Sequence, residues 1–235
     1  MMMYNFKNII DFIINFNNKK IYILLLSIFS FIGFYIIGYY TILHSPGISW
    51  DSIFYLTGAE NIYTYNKYTD MYGNYIINWP PFYPILISIF KLFNLGTSEA
   101  AGLVNAVAFG ATIFLSGIII YEITNNSFWA GIIGVYFILV SISFDIYKMA
   151  WSEPVFMFFN MASLFFISKA INNNSKKKLL WGSLFVALAI LTRHIGVILI
   201  FIGGVTIFIY NRNNLREFAR KIFYLNIVVL ILFGG

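Results

Sequence analysis

Few side chains in this sequence can do chemistry, and three stand out by position. Asp51 lies in Ser49-Trp50-Asp51-Ser52-Ile53-Phe54-Tyr55, just past the first long apolar run. A carboxylate there can serve as a general base if it reaches an acceptor's proton. It can equally be a solvated loop aspartate or the cap of a following helix. Glu153 lies in Trp151-Ser152-Glu153-Pro154, where another apolar run begins. Ser or Glu ahead of Pro makes a good helix start, and negative charge there suits the helix dipole. The functional alternative for Glu153 is a second carboxylate facing Asp51, positioning an acceptor or a metal. Arg193, in Leu191-Thr192-Arg193-His194-Ile195-Gly196, can hold a phosphate in bidentate fashion or snorkel to lipid headgroups. His194 reads as a polar interface residue rather than a base or ligand.

The elements that must position these residues are membrane helices. The 235 residues are 60% hydrophobic and only 10% charged, against roughly 25% charge in soluble domains. Apolar runs at 21–43, 100–121, 128–146, 154–171, 179–191, 195–210 and 222–235 predict an all-α, polytopic transmembrane bundle of about seven spans, since about 20 apolar residues cross a bilayer. The first run is too long for a cleaved signal, and no small-residue cleavage site follows it. Cysteine is absent, which excludes disulfide and thiol chemistry. Two histidines make a histidine-built metal site an unpromising idea. The net charge of +6 is not a nucleic-acid footprint, because the basic residues cluster between apolar runs in the positive-inside pattern.

That pattern places Lys19–Lys20, Lys176 to Lys178, and Arg212, Arg216, Arg220 and Lys221 on the cytoplasmic side. Residues 1–20 read as a cytoplasmic amphipathic segment, and 44–99, richer in acids, as an external loop. An even number of crossings must separate Lys20 from Lys176, and the runs starting at 21, 100, 128 and 154 supply four. The further run 80–95 is short, opens on Trp79-Pro80-Pro81-Phe82-Tyr83-Pro84 and carries Lys91. It therefore reads as an external helix lying in or dipping into the interface; the alternative is a true span that breaks the lysine rule at one loop. The tyrosines at 63, 65, 68, 72 and 75 form an aromatic outer segment, suited to an interface belt or to sugar faces. No glycine-rich phosphate cradle, zinc spacing or serine elbow is present.

The order of these pieces resembles the front module of the GT-C superfamily of membrane glycosyltransferases, nearest the protein O-mannosyltransferase and lipid A aminoarabinose transferase branch (glycosyltransferase family 39 type). Four features carry the resemblance: Asp51 with its aromatic follow-on and Ala59-Glu60-Asn61; Pro80-Pro81-Phe82-Tyr83 opening an external helix; Glu153-Pro154 starting a later span; and Leu191-Thr192-Arg193 closing the next. It covers nearly the whole chain. Two departures stand out: Ser52 follows Asp51 where many members have a second acid, and Trp79 precedes the proline pair where some relatives place a phosphate-binding lysine, a charge that Lys148 can supply instead.

What the resemblance implies is transfer of a sugar from a polyprenyl-phosphate donor to a lipid, glycan or protein acceptor, outside the membrane, by inverting displacement. Asp51 would be the base, Glu153 would shape the acceptor or metal site, and Arg193 would hold the lipid phosphate. Lys148, His194, Tyr55, Trp79, Pro81 and Tyr83 would join the substrate-binding surface. These residues name no cofactor, and a divalent metal fits the two acids. The expected setting is the cell membrane, with membrane lipids around the chain and no nucleic acid. The last apolar run ends without a polar flank, so residues 1–235 read as one module at the front of a longer protein or as a short relative. Two rival readings are a non-catalytic module that binds lipid-linked sugar or a partner subunit, and a small-solute transporter. Transporters tend to show paired repeats and broken midplane helices, whereas here the charges collect at one face.

Overall fold

The computed structural model describes residues 19–233. Ten helices follow one another: α1 (Lys19–His44), α2 (Trp50–Tyr65), α3 (Phe82–Phe90, continued by a 3-10 turn Lys91–Phe93), α4 (Thr97–Thr124), α5 (Ser127–Leu139), α6 (Ser141–Tyr147), α7 (Glu153–Asn172), α8 (Lys176–Thr192), α9 (Ile198–Asn211, preceded by a 3-10 turn His194–Val197) and α10 (Leu215–Phe233). Among the described residues the extended backbone amounts to isolated bridges at Gly47–Met149 and Thr69–Tyr75. An all-helical membrane bundle is what the apolar runs predict.

By length and composition, fewer than seven stretches qualify as spans by themselves. Four helical stretches, Lys20–His44, Thr97–Thr124, Glu153–Asn172 and His194–Asn211, are long and apolar enough to cross a bilayer. The pair α5 and α6, bent by 65°, makes a fifth such stretch if the two act together. Val140 makes that bend. Its extended backbone (ψ 112°) ends α5 while its carbonyl accepts the first hydrogen bonds of α6. Helix α8 has 17 residues and opens on three lysines, and α10 carries four charges in its first seven positions. The run at 80–95 is helical only over Phe82–Phe93. Twelve residues rise about 18 Å, too little for a hydrocarbon core of about 30 Å. Its prolines fall ahead of the helix or in the first turn, where no intrahelical partner is lost.

The segment read as a loop from 44 to 79 contains α2, whose Asn66 ends it in the left-handed conformation. The rest of that segment is tied down. Asn61 donates to the Thr69 and Asp70 carbonyls, and Tyr68 Oη donates to the Trp79 carbonyl at 2.9 Å.

Helix α4 is the hub. It packs on α1, α5, α7 and α3, and its central window is the most buried of the spans. Membrane helices cannot rely on water expulsion between them, so close backbone approach through small residues takes over. Gly110 shows this: Ser30 Oγ donates to its carbonyl at 2.8 Å, and a Cβ there would stand 2.8 Å from the Ser30 carbonyl oxygen. We expect Gly110→Leu to force α1 and α4 apart and cost about 1–3 kcal/mol, read as a lowered melting temperature in detergent. A second core joins α7, α8, α9 and α10 around Ile167, Val186, Leu199 and Leu225.

Candidate active site at one end of the bundle

Helices α7 and α8 form an antiparallel pair joined by a short turn after Asn172. The start of α7 and the end of α8 therefore meet. Ser152 caps α7, Glu153 and Pro154 open it, and Arg193 follows the last residue of α8. Arg193 Nη1 pairs with Glu153 Oε1, and the two side chains are 31% and 33% exposed, so a ligand has access to both. A guanidinium has five N–H donors, so this contact leaves others free. The Arg193 backbone is fixed by two bonds: its N–H donates to the Ala189 carbonyl at 2.8 Å, and its carbonyl accepts from Gly196 at 2.9 Å. Gly196 permits that tight turn. A Cβ there would sit 2.7–3.0 Å from backbone atoms of Ala189 and Ile190.

Helix α2 brings the third group. Ser49 caps it, its N–H donating to Ser52 Oγ at 3.0 Å, and Trp151 Nε1 donates to Ser49 Oγ at 2.7 Å. Gly47 exchanges backbone hydrogen bonds with Lys148 and Ala150, each 2.9 Å long. The segment before α2 is thus laced to the segment before α7. One turn after Asp51, the buried Tyr55 hydroxyl lies 3.0 Å from Ser152 Oγ. Burial holds this phenol above its ordinary range, the Ser152 hydrogen bond opposes that, and the charges of Arg193, Glu153 and Asp51 all act on it. Tyr55 thus ties the turn that follows Asp51 to the residue that precedes Glu153. Asp51 is half-buried in the first turn of α2 and makes no hydrogen bond or ion pair with any described residue. It touches neither Glu153 nor Arg193.

The remaining candidates fall in different places. Trp79 stacks on Phe54 with ring centroids 4.0 Å apart, and Pro81 caps α3. Tyr83 is fully buried and meets Tyr55 edge-on at 5.3 Å, so it supports the site from beneath. The Lys148 ammonium lies 2.7 Å from Asp145 and beside the Phe144 and Tyr40 rings. His194 is exposed. An apolar groove of about 390 Å³ along α1 and α4 and a hollow of about 570 Å³ on the 61–73 segment include none of Asp51, Glu153 and Arg193. Among the described residues no three His, Asp or Glu side chains gather to hold a metal ion. Glu153 faces a guanidinium instead.

Two features escaped the sequence reading. Ser49, Trp151 and Ser152 bind the site's segments together, but single serines and a tryptophan leave no spacing signal. The other is a clamp: the buried Lys91 binds the half-exposed Glu60 carboxylate and donates to Thr97 at 2.9 Å, tying α2, the end of α3 and the start of α4. The Lys91 and Thr97 hydrogen bonds hold the Glu60 carboxyl below its ordinary value, against burial. A depressed carboxyl contributes stability in full above its unfolded value and loses it as pH falls through the folded one. We therefore expect the melting temperature to drop as pH falls below the ordinary glutamate value of 4.5, and Glu60→Gln to flatten that slope. An unaltered slope in the variant would count against the clamp.

The sequence model of the dolichyl-phosphate-mannose-protein mannosyltransferase family matches residues 78–234. The chain belongs to that family. No curated protein and no solved structure matches it. Membership makes it a membrane glycosyltransferase of the GT-C type. For this mannosyltransferase-family chain, the matched region starts just ahead of Pro80-Pro81 and takes in Glu153 and Arg193. Asp51 precedes it, so its position on α2 alone speaks for it.

Proposed function

We propose that the chain transfers a sugar from a polyprenyl phosphate to an acceptor at the end of the bundle where Asp51, Glu153 and Arg193 lie. The observation that carries this reading is the accessible Glu153–Arg193 pair, with the start of α2 held against the segment before Glu153 by the Trp151–Ser49 and Tyr55–Ser152 hydrogen bonds. The acceptor hydroxyl or amine attacks the anomeric carbon as the bond to the phosphate oxygen breaks, inverting the centre. Asp51 takes the acceptor's proton. The departing lipid phosphate gains negative charge, which the free N–H groups of Arg193 stabilise. Glu153 holds the guanidinium in place, Trp79, Pro81 and His194 edge the substrate surface, and the buried Tyr55 supports it from within.

Orientation follows from charge. Counted by helix ends among the described residues, the site end holds six acids and four bases, and the opposite end two acids and ten bases. The positive-inside tendency makes the site extracytoplasmic, with α3 in the outer interface. Every Asp, Glu, Lys and Arg of the bilayer-length helices sits within about one turn of a helix end, which suits a surface enzyme better than a transporter. The test uses membranes containing the chain, supplied with polyprenyl-phosphate sugar labelled in the sugar. Label should pass to a water-soluble or protein acceptor from this donor and not from a nucleotide sugar; transfer from the nucleotide sugar alone would overturn the reading.

A further inference from the structure

The end of the bundle opposite the active site carries a charge excess that the protein does not balance. Several basic side chains have carboxylate partners: Lys91 with Glu60, Lys148 with Asp145, Lys169 with Glu122, and Arg193 with Glu153. At this end Glu217 is engaged by Arg220 and Lys221. Lys177, Lys178, Arg212 and Arg216 have no partner among the described residues. Lys176 lies over the Tyr224 ring at 5.6 Å, and it lines one small hollow with Glu217, Arg220 and Lys221. The start of α8 and the start of α10 thus form one surface. Helix stability does not account for the lysines, since positive charge in the first turn works against the dipole, and the first turn of α8 holds no acid.

Depth fixes what this surface meets. Helix α7 has 20 residues, a rise of about 30 Å, which matches the hydrocarbon thickness. With Glu153 at one interface, the bases stand at the headgroup level of the other leaflet. Exposed Trp181, Tyr210, Leu215 and Phe223 neighbour them in sequence, offering apolar surface to acyl chains. A free phosphate ion has no use for that surface.

We infer that the α8–α10 surface is a binding site for anionic phospholipid headgroups. Clustered juxtamembrane bases attract such lipids. This inference does not depend on the sugar-transfer reading.

The experiment is lipid retention by the purified full chain in detergent, counted by native mass spectrometry with phosphatidylglycerol and phosphatidylcholine as probes. Working in detergent removes any effect of inverted insertion. The wild type should retain phosphatidylglycerol over phosphatidylcholine by about tenfold or more. K177Q/K178Q/R212Q/R216Q should lose the preference, and K177R/K178R should keep it. R212Q/R216Q alone, confined to the α9–α10 turn and the first turn of α10, should lose part of it and serves if the fourfold variant does not fold. Equal retention of the two lipids by the wild type, or an unchanged preference in the glutamine variants, would overturn the inference. So would displacement of the lipid by millimolar inorganic pyrophosphate, which would mark the surface as a free-anion site.

Discussion

Asp51→Asn should reduce sugar transfer by about 10²–10⁴-fold, the usual contribution of a positioned general base, without unfolding the protein. Asparagine keeps the size and removes the basicity. The Asp51 side chain makes no hydrogen bond or ion pair with any described residue, so substitution breaks none. The expected structural cost is the first-turn charge on α2, about 0.3–1 kcal/mol. Transfer rates on wild type and variant, with melting temperatures alongside, separate the two effects. A variant that turns over at the wild-type rate would remove Asp51 from the reaction and leave it as a helix-start residue.

Arg193→Gln should lower kcat/KM by about 10²–10³-fold, the range for loss of one group that stabilises developing charge. It should also raise KM for the lipid donor, because the guanidinium meets the phosphate before as well as during bond cleavage. Arg193→Lys should recover part of the loss, since an ammonium supplies charge without the planar fork. Glu153→Gln removes the carboxylate and leaves the cation, so a smaller loss is expected there. Kinetics of the three variants against donor concentration check this pattern. If Arg193 merely contacted headgroups, Arg193→Gln would stay within about twofold of wild type.

Much of this arrangement is legible in the residues. Ser152-Glu153-Pro154 marks the start of α7, and the helix begins there. Leu191-Thr192-Arg193 marks the end of α8, and the helix ends there. Two apolar runs of similar length joined by Asn172 to Ser175 must fold back, which brings Glu153 to Arg193 before any coordinates are known. Helix α2 is less legible because its apolar and polar residues show no sustained one-sided pattern, and its caps are ordinary serines and an asparagine. The break at Val140 carries no proline or adjacent glycine, so 128–146 looks like one straight run. Lys91 reads as a charge that keeps a helix at the surface, but its partner Glu60 lies 31 positions earlier, a separation no local pattern encodes.

The α7–α8 hairpin also works as a calliper. Its two jaws, Glu153 and Arg193, close on each other only if both legs keep their length. One residue inserted within α8 would turn Arg193 by about 100° around the helix and move it about 1.5 Å along it, opening the jaws. An insertion at 173–175, beyond the pivot, would leave the gap between them unchanged. Length variation among relatives should therefore gather at that remote turn, while the legs stay fixed in residue count.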